Sequence, residues 1–123
     1  MECIGILARE IRKLGINIDF LEWEGKPPTT YWIFTYIEAD NNYETSCKAG
    51  VIICEGFTRG NITNLEEEKE KIINHFQEYR EIADNTAVFL GSAYGQIVDT
   101  QDVEIKKIQV NIDFKEWRGE EQI

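Results

Sequence analysis

The sequence is short of cations, of histidine and cysteine, and of long apolar runs, and each shortage removes a class of function. Thirteen Lys and Arg stand against 23 Asp and Glu, a formal net charge of -10. Such a field repels nucleic-acid phosphates, and no run of basic residues offsets it. Acidity of this kind suits solubility, a partner with a basic rim, or mimicry of nucleic acid. With one histidine, three cysteines and no C-x-x-C, no metal-ligand spacing can be written. Cys47 and Cys54 would face opposite ways on one strand, which argues against a disulfide or a shared metal. All three cysteines, Cys3 included, are expected to be reduced and half-buried. No apolar stretch approaches the roughly 20 residues that span a bilayer. The opening MECIGILAREIRKLG carries Glu2 and spaced apolar residues. It does not read as a signal peptide, and a cytoplasmic protein is expected.

The 123 residues, 42% of them hydrophobic, fit one domain with a modest core. Ile4, Leu7, Ile11 and Leu14 recur at helical spacing and Gly15 follows, so a helix is expected over residues 2–14. Ile16, Ile18 and Phe20 then alternate with polar residues as in a half-buried strand, ended by Lys26-Pro27-Pro28. Aromatic and β-branched residues over 30–37 predict a buried second strand. Asp40-Asn41-Asn42 turns it into a third, over about 43–58, and Arg59-Gly60-Asn61 closes that hairpin. Thr63 with Glu66 reads as a capping box for a helix over 64–79, with Leu65, Ile72, Phe76 and Tyr79 as its buried stripe. Strands over 86–93 and 103–117, separated by a loop at 95–102, complete the chain. The expected fold is α+β: a mainly antiparallel sheet of about five strands on two helices, in the order α-β-β-β-α-β-β.

One phrase occurs twice. INIDFLEWEG near the start matches VNIDFKEWRG near the end without gaps, at an offset of 94 (111 minus 17). Two distant copies of about ten residues do not make a repeat architecture. Both NIDF segments read as strands, expected to be neighbours in one sheet and to end at one rim. In the second copy, Ile108, Val110, Ile112 and Phe114 share a face while Trp117 falls on the other. Either a bulge rotates the strand end or Trp117 stands in the open; Trp23 poses the same choice.

No constellation carries catalytic chemistry. The Glu66–Glu70 run is a solvated helix face with a Glu67/Lys71 pair. His75 has no partner at motif spacing and reads as a partly buried structural histidine. Gly91-Ser92-Ala93-Tyr94-Gly95 misplaces the serine for a nucleophile elbow and reads as a turn. Asp40-x-Asn42-x-Glu44 lacks the glycine and the glutamate of a calcium loop. Asn61-Ile62-Thr63 fits a glycosylation sequon without a secretory route, and no phosphate-binding glycine loop exists. No catalytic, cofactor or metal residues are therefore assigned. Trp32 is expected in the core. Trp23 and Trp117, beside Gly25 and Gly119, are candidate interface residues, since tryptophan is enriched in contact hot spots. Lys26, Arg59 and Arg118 complete that interface set.

The segments LEWEGKPPTTYWIFTYIE at 21–38, EGFTRGNITNLEEEKEKIINHF at 55–76 and KKIQVNIDFKEW at 106–117 resemble a group of small prophage proteins of Gram-positive bacteria. In order of elements the chain is similar to their tail terminators and tail-completion proteins. The resemblance implies a structural, non-enzymatic virion subunit in a ring, commonly hexameric, that ends the tail tube or joins tail to head. Implied partners are further copies of itself and tail-tube, sheath or head-connector proteins, with no nucleic acid or membrane. The implied location is the host cytoplasm during assembly, then the particle. The strong acidity is a departure that demands basic or shape-driven docking surfaces on the neighbours. A competing reading from another class is a small acidic inhibitor that mimics DNA and binds a nucleic-acid enzyme.

Overall fold

The computed structural model describes residues 2–39, 47–83, 86–98, 100 and 104–118, with backbone alone at Ala83 and Arg118. Helix α1 (Glu2–Lys13) leads into β1 (Ile18–Phe20), β2 (Thr30–Glu38) and β3 (Cys47–Thr58). Helix α2 (Ile62–His75) follows, then β4 (Glu78–Ala83), β5 (Thr86–Val98) and β6 (Lys106–Arg118). The strands form one six-stranded mixed sheet in the order β1-β2-β3-β6-β5-β4. The α+β class stands; the strand count is six rather than five.

Alternation decides what faces the helices. Ile52, Cys54 and Thr58 on β3 and Ile108, Val110, Ile112, Phe114 and Glu116 on β6 are buried beneath α1 and α2. Their neighbours one position along point to the opposite face, which no helix of the described residues covers. Trp32, fully buried, lies in the core as expected, and its indole N–H donates to Glu68 Oε1 at 2.9 Å. Gly56 pairs with it across β2 and β3, and a Cβ there would come within 2.6 Å of the Trp32 ring. Only glycine admits that ring.

Helix α1 ends as its sequence says, at Gly15 with φ +82°. Its start is held from afar: the Cys3 N–H donates to Glu116 Oε1 at 2.9 Å. A carboxylate at a helix N-terminus satisfies an otherwise orphaned donor and opposes the dipole. Helix α2 is capped by Asn61, whose side chain accepts from the Thr63 N–H at 2.9 Å. The cap is thus Asn61, and the Thr63/Glu66 box is corrected. The helix stops at His75, so Tyr79, expected in its buried stripe, belongs instead to β4.

Three further expectations are corrected. The first strand stops at Phe20, because Leu21 at φ +66° and Gly25 at φ +78° turn the chain back, and β2 then runs parallel to β1. The 95–102 loop starts later, since β5 continues to Val98. Gly91 to Gly95 is a β-bulge within β5 rather than a turn, with the register shifting between Gly91 and Tyr94 and Ser92 at φ +51°. The 40–42 turn and the 40–44 calcium-like stretch lie outside the described residues. The antiparallel β2/β3 pairing is as expected.

The two NIDF copies are not neighbours: β2 and β3 stand between β1 and β6. The register carries Ile18 through Trp32 and Gly56 to Ile108, not to its sequence counterpart Ile112. Nor do the copies share a rim. Trp23 packs on Tyr31, at 5.7 Å between ring centroids, near the start of β2, while Trp117 pairs with Cys47 at the other end of β3. About ten residues of strand, or roughly 33 Å, separate the two levels.

Candidate functional site

The uncovered sheet face is built in rows, because side chains on adjacent strands at paired positions stand side by side. One row crosses four strands: Tyr31 on β2, Phe57 on β3, Lys107 on β6 and Val98 on β5. Tyr31 and Phe57 stack at 5.4 Å between centroids. The Lys107 Nζ lies 5.5 Å from the Phe57 ring centre and pairs with Glu55 on the row above.

This row floors a groove of about 870 Å³. The returning loop after β1 forms one wall with Lys26, Pro27 and Pro28, and Arg59 stands at the end of β3. Thr100 and Ile105 form the far side, joined by a hydrogen bond from Thr100 Oγ1 to the Ile105 carbonyl at 2.7 Å. The prolines do more than end a strand: their fixed backbone shapes a wall. Among the described residues Lys26 and Arg59 make no ion pair, as Lys48, Lys71 and Lys115 make none, whereas Arg9, Arg12, Lys13, Lys69, Arg80 and Lys107 do.

At the opposite end of the same face lies a second apolar zone. Trp117, 36% exposed, lines a hollow of about 300 Å³ with Ile82, Ala87, Phe89, Arg80 and Lys115. Between the zones the rows are mixed, with Ile33, Ile53 and Val51 beside Glu55, Gln109, Asn111 and Asp113; Gln109 donates to Asn111 Oδ1, and Asn111 to the Tyr94 hydroxyl, each at 3.1 Å.

The structure therefore brings Lys26 and Arg59 together in one groove, with Trp23 close by on Tyr31. It places Trp117 at the far end, in the open and without a bulge beside it, as one of the two alternatives had it. Arg118 closes β6, and its side chain lies outside the described residues.

A second cluster was missed by sequence reasoning. His75 hydrogen-bonds Glu10 Oε1 at 3.1 Å, across 65 positions of sequence. Glu10, 6% exposed, also meets Arg9 at 3.0 Å and Lys13 at 3.1 Å. The Arg9 guanidinium continues to Glu81 and the Tyr79 hydroxyl, and Tyr79 donates to Glu81 at 2.9 Å. Burial pushes the Glu10 carboxyl up, but hydrogen bonds from Lys13, Arg9 and His75 outweigh it and hold the pKa at about 2. Burial, then the Glu81 contact, raises the Tyr79 phenol. A carboxylate saturated by three donors is poorly placed to activate anything; the cluster ties α1 to α2 and β4. Its one sequence signal was Glu10 on the apolar side of α1, next to Ile11.

Cys3 and Cys54 are buried and Cys47 is half-buried, all as free thiols. Burial pushes the Cys54 thiol up to about 12. The Cys3 thiol also rises to about 12, through burial and then the Glu116 carboxylate. Both are held as unreactive thiols. Among the described residues no group of three or more His, Cys, Asp or Glu is placed to hold a metal ion, and no helix is long and apolar enough to cross a membrane. No known family model matches the chain, and no curated protein matches it.

Proposed function

We propose that the chain is a structural, non-catalytic subunit of a phage or phage-tail-like particle, forming a ring that terminates the tail tube or joins tail to head. The ring is hexameric in the family whose pattern the sequence resembles. Its partners are its own copies and tail-tube, sheath or head-connector proteins, met in the host cytoplasm and kept in the particle. The observation that carries this reading is the pair of unlike apolar zones at opposite ends of one open sheet face. A closed ring needs two different surfaces on each subunit, a head-to-tail contact that closes by rotation. A cationic, aromatic groove at one end and a tryptophan-lined hollow at the other supply such a pair.

The acidic-inhibitor reading has less support. It needs carboxylates at phosphate-like spacing on one surface, yet Glu10, Glu55, Glu66, Glu78 and Glu81 are each paired with a cation of the same chain. The test is light scattering after size exclusion over a range of concentrations, with negative-stain images of any large species and binding to isolated tails. A closed ring, or a monomer that assembles on tails, upholds the proposal. A strict monomer that ignores tails overturns it.

A further inference from the structure

The groove floored by Tyr31, Phe57, Lys107 and Val98 has an unusual charge history. The chain carries ten more carboxylates than cations (23 minus 13), so a lysine or arginine without a carboxylate partner goes against the statistics of its own surface. Among the described residues Lys26, Lys48, Arg59, Lys71 and Lys115 form no ion pair, and of these Lys26 and Arg59 line this groove. Their placement asks for an occupant with carboxylates, and the stacked rings beneath ask for an apolar side chain.

The residues that follow β6 read Gly-Glu-Glu-Gln-Ile. They cannot serve their own groove. Arg118 lies at the end of β6 remote from Lys107, about eleven residues or roughly 36 Å along the strand. Five fully extended residues span at most about 18 Å. A second copy has no such limit. We propose that the groove receives residues 119–123 of a second copy of this chain, with Glu120 and Glu121 meeting Lys26 and Arg59 and Ile123 lying on Tyr31 and Phe57. The contact joins one end of the sheet to the other end of the next subunit, and so is heterologous. It rests on the ring reading for the claim that it closes a cycle.

The same physics separates a peptide from nucleic acid. The groove holds two unpaired cations in a strongly anionic molecule, enough for a pair of glutamates and too few to draw in a polyanion. An exposed contact of this kind weakens with salt, as the screening length falls from about 10 Å at 0.1 M to about 3 Å at 1 M.

The experiment has two arms, with circular dichroism confirming that each variant is folded. The first measures association of the full chain by light scattering for wild type, Lys26→Glu/Arg59→Glu, Glu120→Lys/Glu121→Lys, and all four changes together. Each double variant should associate at least tenfold more weakly, and the fourfold variant should recover. Association of Lys26→Glu/Arg59→Glu at the wild-type level overturns the groove proposal and leaves the ring intact. The second arm measures fluorescence anisotropy of a labelled peptide of residues 115–123, and of a labelled twelve-nucleotide oligothymidine, on wild type and on Lys26→Glu/Arg59→Glu. If wild type proves monomeric, the ring reading passes to the test on isolated tails, and peptide binding that falls at least tenfold in the variant still upholds the groove. No peptide binding to the monomer, or binding of the oligonucleotide in preference to the peptide, overturns it.

Discussion

At the scale of single residues, the fold is set by a few side chains whose freedom is small. Gly56 lies under the Trp32 indole, and Gly56→Ala would push a methyl group into a fully buried ring that is itself tied to Glu68. Overpacking of this sort costs about 1–3 kcal/mol, and urea denaturation should show the unfolding free energy falling by that amount through a lower midpoint at an unchanged slope. Glu10 offers a prediction in pH. Its folded pKa of about 2 lies below the ordinary 4.5, so its ionised form stabilises the fold. The contribution is complete above about pH 4.5 and is lost as pH falls from there through about 2. Glu10→Gln should therefore cost on the order of 2–3 kcal/mol at pH 7, and the gap to wild type should close by about pH 2. A gap that stays constant across that range would show that shape rather than charge holds the site.

At the scale of elements, legibility followed how local each signal was. The α1 stripe was readable because Leu7 and Ile11 repeat every four residues, and Ile4 and Leu14 do pack at the edge of the core. β4 was not, because Phe76 and Tyr79 continue the helical spacing begun by Ile72. Nothing within Glu-Tyr-Arg-Glu-Ile distinguishes a helix turn from a charged edge strand. Charge on an edge strand is what blocks unwanted pairing, and the same charge hides the strand from periodicity. The Glu10–His75 tie, and the row that makes the groove, join residues far apart in sequence, so no local pattern could show them. The candidate set fared in the same way: of the one interface set, Lys26 and Arg59 share a groove, while Trp23 and Trp117, linked by a repeated phrase, stand at opposite ends. The cap of α2 makes a simple check. Asn61→Ala removes the acceptor for the Thr63 N–H and should cost about 1 kcal/mol, whereas Thr63→Ala, with no capping role for its side chain, should cost less. Thermal unfolding of the two variants side by side decides between Asn61 and the alternative cap at Thr63.

At the scale of the whole molecule, the sheet divides its two faces between two tasks. One face is given to the core, where Trp32, Phe34 and Phe114 are buried under the helices; the other carries rings and cations that no helix of the described residues covers. That division predicts opposite outcomes for two tryptophans. Trp32→Ala empties a buried site and should cost about 3–5 kcal/mol, a large share of the roughly 5–15 kcal/mol that holds a domain folded. Trp117→Ala removes a ring that is 36% exposed on the open face. It should leave the unfolding midpoint within a few degrees of wild type and weaken subunit association at least tenfold, about 1.4 kcal/mol. Thermal unfolding read beside light scattering separates the two effects in one preparation. If Trp117→Ala unfolds as Trp32→Ala does, the ring is a member of the core and the open face loses its anchor. If it neither unfolds nor dissociates, the contact between copies lies elsewhere on the subunit, and the tryptophan hollow is not one of its surfaces.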